Sequence, residues 1–194
     1  MDKKINFEKA VEILNDGGII IFPTDTAYGV GCRIDDGKAV VKLNKMLKRP
    51  KDMASPVLFD TIERVEQYVE LDSKTSDVAN KYWPGALTLI LRCNKVKVLR
   101  SVRGGRETLG VRIPNHETPL ELIKHVDKPI IGTSANFHGG KTPYLFSDLD
   151  KRLIKLVDYV LEGKTNERMI ASTVVDCTVI PWKIIRQGEI SLDL

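Results

Sequence analysis

The feature that most constrains the fold is a pair of short apolar segments, each followed by a loop of small polar residues. Residues 19–22 (IIIF) precede the loop 23–32, and residues 129–131 (PII) precede the loop 132–140. Apolar runs without alternation fit strands that are buried on both faces. Helical patterns separate the predicted strands, so the sequence predicts an α/β (α+β) fold with a sheet covered by helices.

The pattern also predicts the approximate bounds of the elements. The first helix follows Asn6 as N-cap and ends at Gly17 and Gly18. Further helices are expected at residues 38–48, 62–69, 74–82 and 119–125. Strands are expected at residues 19–22, 56–59, 87–92, 109–113, 129–131, 172–177 and 183–186.

Length and composition point to one soluble domain. The 194 residues contain no linker and no internal repeat, and one domain over residues 1–194 is expected. The longest aliphatic-aromatic run has four residues, against the ~20 that a membrane span needs. The three cysteines form no CxxC pair, and a cytoplasmic location is expected.

The positive charge is concentrated in two segments. Residues 42–51 hold five basic and no acidic residues, and residues 92–106 hold six and none. Without these 11, the remaining 19 basic and 26 acidic residues give −7. Such focusing favours an anionic ligand, either a nucleotide or a nucleic acid backbone.

The two polar loops are candidate anion sites. Hydroxyl and amide side chains, together with backbone N–H groups exposed by glycine, can bind phosphate or carboxylate oxygens beyond the ends of strands. Neither a P-loop nor a dinucleotide fingerprint is complete, and the three histidines lack the spacing of metal ligands. The residues alone therefore predict a nucleotide-sized anionic ligand, with no recognisable nucleophile or base.

The order of several motifs adds a resemblance. The chain carries, in sequence, PTDTAYGVGC (23–32), KRP (48–50), SPV (55–57), WPGALT (83–88), GVRIP (110–114), TSAN (133–136), STVVD (172–176) and RQG (186–188). In these motifs it resembles the YrdC-like family, the L-threonylcarbamoyladenylate (threonylcarbamoyl-AMP) synthases, over about residues 7–190. The resemblance implies the family's short form, a single YrdC/RibB-like domain with a twisted mixed β-sheet flanked by helices and no second C-terminal domain.

The resemblance also implies an activity. The expected enzyme is a nucleotidyltransferase that makes L-threonylcarbamoyladenylate from L-threonine, bicarbonate or CO2 and ATP, with release of pyrophosphate. The product would serve threonylcarbamoyladenosine modification of tRNA next to the anticodon, through a separate tRNA threonylcarbamoyl transferase complex. Mg²⁺ is expected to enter with ATP and not on a site of protein ligands. tRNA or double-stranded RNA is a further expected partner.

Matching positions in the motifs imply site residues. The implied threonine-binding residues are Thr26, Tyr28, Arg112 and Ser172, with Arg112 pairing with the amino-acid carboxylate. The implied ATP-binding residues are Arg49, Ser55, Thr108, Ser134, Asn136, Thr142 and Arg186. The implied catalytic set is Lys48, Arg49, Ser134 and Asn136.

The chain departs from the family pattern at two places. The family's Lys-x-Arg-Pro has Leu47 at the lysine position, so Lys45, Lys48 and Lys51 are all candidates for the phosphate-binding lysine. Asp60 stands where many members have a histidine near the threonine.

Two other functions remain open from the sequence. The 11 clustered basic residues also suit a non-catalytic RNA-binding module, with residues 92–106 as either an RNA-binding surface or a lid hinged at two glycines. A third hypothesis keeps carbamoyl-adenylate chemistry but uses a different acceptor, and threonine dependence separates it from the synthase.

Overall fold

The computed structural model describes residues 3–166 and 168–192, and its strands form two mixed sheets flanked by helices. The strands are β1 (Ile20–Pro23), β2 (Tyr28–Gly31), β3 (Val57–Leu58), β4 (Leu87–Arg92), β5 (Thr108–Arg112), β6 (Ile130–Ile131), β7 (Thr133–Ser134), β8 (Tyr159–Val160), β9 (Thr173–Asp176) and β10 (Lys183–Arg186). The helices are α1 (Lys3–Asn15), α2 (Gly37–Met46), α3 (Ile62–Glu66), α4 (Ser73–Tyr82), α5 (Arg100–Arg103), α6 (Glu117–Val126) and α7 (Lys151–Ile154), with a 3₁₀ turn at Phe146–Asp148.

The two sheets differ in size, and each contains both parallel and antiparallel strand pairs. The first has the strand order β7-β2-β1-β8, and the second has the order β10-β9-β4-β5-β3-β6. In the first, β1 pairs antiparallel with β2 and parallel with β8. In the second, β4 pairs antiparallel with β5 and parallel with β9. The expected fold class, a mixed sheet architecture flanked by helices, is confirmed.

Strand β1 is buried on both faces, as its uninterrupted apolar run predicts. Ile21 packs into the main core between the sheets. Ile20 and Phe22 point the other way, into a smaller core that α1 and α6 cover with Leu14 and Leu122 among others. Because both faces are covered, the strand holds the turn that follows it in a fixed position.

Helix ends follow local sequence signals, with one correction. At the end of α1, Gly17 has φ +77°, and the backbone N–H of Gly18 donates to Ile13 O at 2.8 Å, which is the Schellman arrangement. The predicted N-cap at Asn6 is wrong, because α1 already includes residues from Lys3 onward. Within the described chain, no helix is both long and apolar enough to cross a membrane.

Two strands lie in segments that the sequence predicts as loops. Strand β2 pairs with β1 and with β7, so the polar loops of the sequence analysis are in part antiparallel strands. The sequence pattern does not predict β2, because the strand contains glycines at 29 and 31 and glycine is depleted in strands. Gly31 is required by close packing, since a Cβ there would lie 1.7 Å from Ile131 O.

This close approach joins the two sheets. The N–H of Ile131 donates to Cys32 O at 2.9 Å, and Arg33 forms an isolated bridge with Ile130. The end of β2 in the first sheet therefore lies against β6 in the second.

We expect Gly31→Ala to lower the free energy of unfolding by about 3 kcal/mol, because the new methyl group meets backbone that cannot rotate away. The matched control is Gly37→Ala at the start of α2, where the nearest atom is a flexible Leu99 methyl at 3.4 Å. Urea denaturation of both variants measures the difference. Equal stability of the two variants would contradict the packing described at Gly31.

Candidate active site

A cavity of about 610 Å³ is lined by residues of both sheets, and its size is typical of small-molecule sites. The lining residues belong to the β1–β2 turn, to the segments 49–56 and 132–142, and to strands β4, β5, β9 and β10. Its lining includes the predicted residues Thr26, Tyr28, Arg49, Ser55, Thr108, Arg112, Ser134, Asn136, Thr142, Ser172 and Arg186. The structure therefore gathers every predicted site residue except Lys48, and the roles assigned to them remain predictions.

Arg112, on β5, is buried against the turn between β1 and β2. Its Nη2 pairs with Asp25 Oδ1, its Nη1 donates to Thr26 Oγ1 at 3.0 Å, and its Nε donates to Gly85 O at 2.9 Å. The other oxygen of Asp25 accepts from the backbone N–H of Asn115 at 3.0 Å. One guanidinium thus ties the second sheet to the turn of the first.

The hydroxyls of the turn form a directed chain. Thr24 Oγ1 donates to Ala27 O at 2.7 Å, because a carbonyl oxygen can only accept. Thr26 Oγ1 lies 3.1 Å from Thr24 Oγ1 and must therefore be the donor of that bond. The hydroxyl proton of Thr26 is used in the bond to Thr24, and one lone pair of Thr26 Oγ1 accepts from Arg112. The other lone pair remains available to a ligand as a hydrogen-bond acceptor.

Arg49 is half-buried on the opposite wall. Its Nη1 donates to Thr133 Oγ1 and its Nη2 to Ala54 O, both at 2.8 Å. Its Nε is buried and has no hydrogen-bond partner among the described residues. Burial lowers the pKa of Arg49 from its ordinary value, although the guanidinium stays charged. An anionic ligand would supply the missing counter-charge.

Asn136, in the cavity lining, has a single side-chain atom without a hydrogen-bond partner among the described residues. Its Nδ2 donates to Phe137 O at 2.9 Å and to Gly140 O at 3.0 Å. The opposite orientation of the amide would place Oδ1 against these two carbonyl oxygens, so the hydrogen bonds fix the orientation. Oδ1 is buried and, within the described chain, has no partner. This side chain therefore suits a cation or an N–H or O–H donor, and not a phosphate oxygen.

Ser172 links two cavity walls. Its Oγ accepts from Arg186 Nη2 at 2.9 Å and lies 3.0 Å from Thr88 Oγ1, and its backbone carbonyl accepts from Arg186 Nε at 2.9 Å. Partial burial, with a smaller effect of the charge on Arg112, lowers the pKa of Arg186. Ser172, a predicted threonine-binding residue, and Arg186, a predicted ATP-binding residue, are therefore hydrogen-bonded to each other.

Tyr28 forms a wall of the cavity. Its hydroxyl donates to Gly163 O and accepts from the N–H of Gly163 at 3.2 Å. Burial raises the pKa of Tyr28. The hydroxyl is occupied by the 163 segment, so the ring is the part that a ligand would meet.

The other predicted ATP-binding hydroxyls are less constrained. Ser55 is buried, and its Oγ lies 3.4 Å from Asn44 Oδ1. Thr108 and Thr142 line the cavity and are half-buried. Their hydroxyls make no hydrogen bond to other described residues, which leaves them available to a ligand.

The charged residues that line the cavity are all arginines: Arg49, Arg106, Arg112 and Arg186. Asp25 offsets the charge of Arg112, whereas the other three have no acidic partner within 4.0 Å in the described chain. Over the same residues there is no group of three His, Cys, Asp or Glu side chains that could hold a metal ion. The site is built for an anion.

Lys48 does not line the cavity, which corrects the expectation that it joins Arg49 there. Helix α2 ends in a Schellman turn, in which the N–H of Arg49 donates to Asn44 O at 2.9 Å. Lys48 occupies the left-handed position of that turn, with φ +56°. Its ammonium group is exposed and lies 5.6 Å from the centroid of the Phe137 ring. Lys45 and Lys51 are also exposed and outside the cavity lining.

Asp60 is also outside the cavity lining. Its carboxylate pairs with Arg64 Nε at 2.8 Å, one helical turn further along, and Arg64 Nη1 pairs with Asp127 at 3.0 Å. This residue is therefore used in a charge network at the start of α3.

The polar lining residues that were missed as site residues include Arg106, Thr133 and His138. Thr133 lies inside the recognised TSAN motif and accepts a hydrogen bond from Arg49. Arg106 ends the second basic segment, directly after two glycines, and that position was the available signal. The sequence favours His138 as a surface or turn histidine, and it is exposed at the cavity.

The chain is similar to proteins of one family. A family model described as Telomere recombination, Sua5/YciO/YrdC, matches residues 12–188. A threonylcarbamoyl-AMP synthase of Pyrococcus abyssi is 31% identical over 185 residues, which cover 95% of this chain and 54% of that protein. A threonylcarbamoyl-AMP synthase of Vibrio campbellii is 28% identical over 186 residues, which cover 94% and 99%.

A solved structure is also similar. The crystal structure of P. abyssi Sua5 complexed with L-threonine superposes with a TM-score of 0.88 at 29% identity, covering 97% of this chain and 55% of that one. This chain thus spans about half the length of its P. abyssi relatives and nearly the full length of the V. campbellii one.

We expect Arg112→Ala to destabilise the fold by about 3 kcal/mol, because it leaves the Asp25 carboxylate buried without its partner. The Arg112→Ala, Asp25→Ala double variant should recover part of this loss. Urea denaturation of the two single variants and the double variant measures the coupling. Lys42→Ala, which breaks an exposed pair with Asp158, is the control and should leave the midpoint unchanged. Additive effects of the two cavity substitutions would contradict a direct pair.

Proposed function

The chain belongs to the Sua5/YciO/YrdC family, and from this premise we propose that it is a threonylcarbamoyl-AMP synthase. The proposed reaction joins L-threonine, bicarbonate or CO2 and ATP, and it releases pyrophosphate. The observation that carries the proposal is a cavity whose charged lining is entirely arginine and whose lining also includes Thr26 and Ser172. The named relatives, one of them solved with L-threonine, support the choice of reaction.

The proposed chemistry needs no nucleophile from the protein. The threonine amine adds to CO2, loses a proton to water and gives a carbamate. A carbamate oxygen then forms a bond to the α-phosphorus of ATP, while the bond from that phosphorus to the bridging oxygen of the β-phosphate breaks. Positioning of the reactants and neutralisation of phosphate charge can supply the catalysis. A lining rich in arginine and hydroxyl groups suits this requirement.

At the threonine end, donors and acceptors are complementary to an amino acid. Arg112 has five N–H groups, of which three are donated to Asp25, Thr26 and Gly85, so two remain for the substrate carboxylate. Thr26 offers an acceptor for the amine or for the substrate hydroxyl. Ser172 and the ring of Tyr28 complete this end.

At the ATP end, we assign the phosphates to Arg49 and Arg186, with Ser55, Ser134 and hydroxyls at 108 and 142 nearby. The Nε of Arg49 is buried and makes no hydrogen bond to another described residue. An anion there relieves the cost of burying this charge.

Mg²⁺ is proposed to enter with ATP, and Asn136 is the residue that would hold it. Its Oδ1 is buried, lacks a partner in the described chain and belongs to the oxygen class of ligand that Mg²⁺ prefers. When bound, the ion neutralises charge on the outer phosphates.

The product is proposed to pass to a separate tRNA threonylcarbamoyl transferase complex in the cytoplasm. RNA binding is the second candidate function, and one structural observation favours it. The two basic segments lie side by side, since Asn44 Nδ2 donates to Ser101 O at 3.3 Å. If ATP displaces a bound RNA, the basic segments serve a nucleotide site; if RNA binds unchanged by ATP, the RNA function gains support.

We expect pyrophosphate release from ATP, with Mg²⁺ and bicarbonate, to depend on L-threonine. L-Serine should be a much poorer substrate, and omission of bicarbonate should abolish the release. A coupled phosphate assay measures each condition. Release that is independent of any amino acid would point to another acceptor, and absence of both release and ATP binding would overturn the proposed function.

A further inference from the structure

The cavity contains a cation that the family pattern does not assign. The pattern expects a lysine beside Arg49, yet no lysine is among the residues that line the cavity in the described chain. Arg106 lines it instead, from the end of the second basic segment. The inference that follows deepens the proposed function and rests on it.

The backbone that carries Arg106 is firmly attached to the cavity wall. Gly104 has φ +59° and packs so closely that a Cβ there would lie 2.5 Å from Asp52 O. The N–H of Ser55, a cavity residue, donates to Val102 O at 2.8 Å. The guanidinium of Arg103 donates to the carbonyl of Arg106. These contacts place residue 106 next to the loop of Arg49 and Ser55.

The side chain of Arg106, by contrast, is uncommitted. It is exposed, its guanidinium makes no hydrogen bond to another described residue, and no carboxylate of the described chain lies within 4.0 Å. The adjacent Glu107 pairs with Lys95 at 2.6 Å, so that acid is already neutralised. An unpaired arginine at the open side of an arginine-lined cavity is available to an incoming anion.

We propose that Arg106 binds the outer phosphates of ATP and the departing pyrophosphate, in place of the lysine that the family pattern expects. A guanidinium can bond two phosphate oxygens at once, and its donors are geometrically fixed. Arg49 supplies the buried cation, and Arg106 contacts the same anion from the solvent side. Lys48, held at the Phe137 ring outside the cavity lining, has no part in phosphate binding.

The test is calorimetric binding of pyrophosphate, ATP and AMP to the full chain and to four variants. Arg106→Gln should weaken pyrophosphate and ATP binding by about tenfold or more, the effect of losing charge-assisted hydrogen bonds. AMP binding should be unchanged, since AMP has no outer phosphates. Arg106→Lys should recover part of the loss. The control Arg100→Gln, an exposed arginine of the same segment outside the cavity lining, should bind all three ligands as the wild type does. Lys48→Gln tests the competing assignment to the lysine and is expected to keep pyrophosphate binding.

Three results would overturn the inference. If Arg106→Gln binds pyrophosphate as tightly as Arg100→Gln does, while the wild type shows threonine-dependent turnover, Arg106 has no phosphate role and the synthase function stands. If Lys48→Gln loses pyrophosphate binding and Arg106→Gln does not, the lysine has the role instead. A wild type that binds neither ATP nor pyrophosphate overturns both this inference and the proposed function. Because Arg106 is exposed, loss of folding is not expected to obscure the result.

Discussion

A buried ion pair between Arg112 of β5 and Asp25 of the β1–β2 turn holds one sheet to the other at the wall of the cavity. Neither residue could be buried alone without a large loss of stability, so each requires the other. The same guanidinium orders the hydroxyl of Thr26, which in turn donates to Thr24. The shape of the turn, the polarity of its hydroxyls and the width of the cavity therefore all depend on this pair.

Because of this pair, the arginines of the cavity fall into two groups, one neutralised by an acid and the other not. Asp25 offsets the charge of Arg112, which leaves that residue with directed hydrogen-bond donors but little net charge. Arg49, Arg106 and Arg186 carry the uncompensated charge that attracts a polyanion. Asn136 adds a free acceptor where the other groups are donors. Under the proposed function, an amino acid and a nucleotide therefore meet distinct electrostatic environments within one cavity.

The sequence predicted elements whose signals are local. Strand β1 follows from an apolar run that is buried on both faces, and the end of α1 follows from Gly17. Strand β2 was missed because it contains two glycines, of which Gly31 is required by packing against residue 131, and the local sequence cannot show that packing. The motif pattern supplied the cavity residues, whereas the spacing could not show that the turn at the end of α2 brings Arg49, and not Lys48, to the cavity lining. Nor could spacing reveal that Arg112 pairs with an acid 87 residues away.

The most direct test of the account is the identity of the product. Incubation of the chain with ATP, Mg²⁺, L-threonine and ¹³C-labelled bicarbonate, followed by mass spectrometry, reports the acceptor, the carbon source and the nucleotide in one experiment. The account predicts a threonylcarbamoyl-AMP ion that carries one labelled carbon and shifts in mass when labelled threonine is supplied. ADP or AMP as the sole nucleotide product, or an adenylate without the labelled carbon, would contradict it.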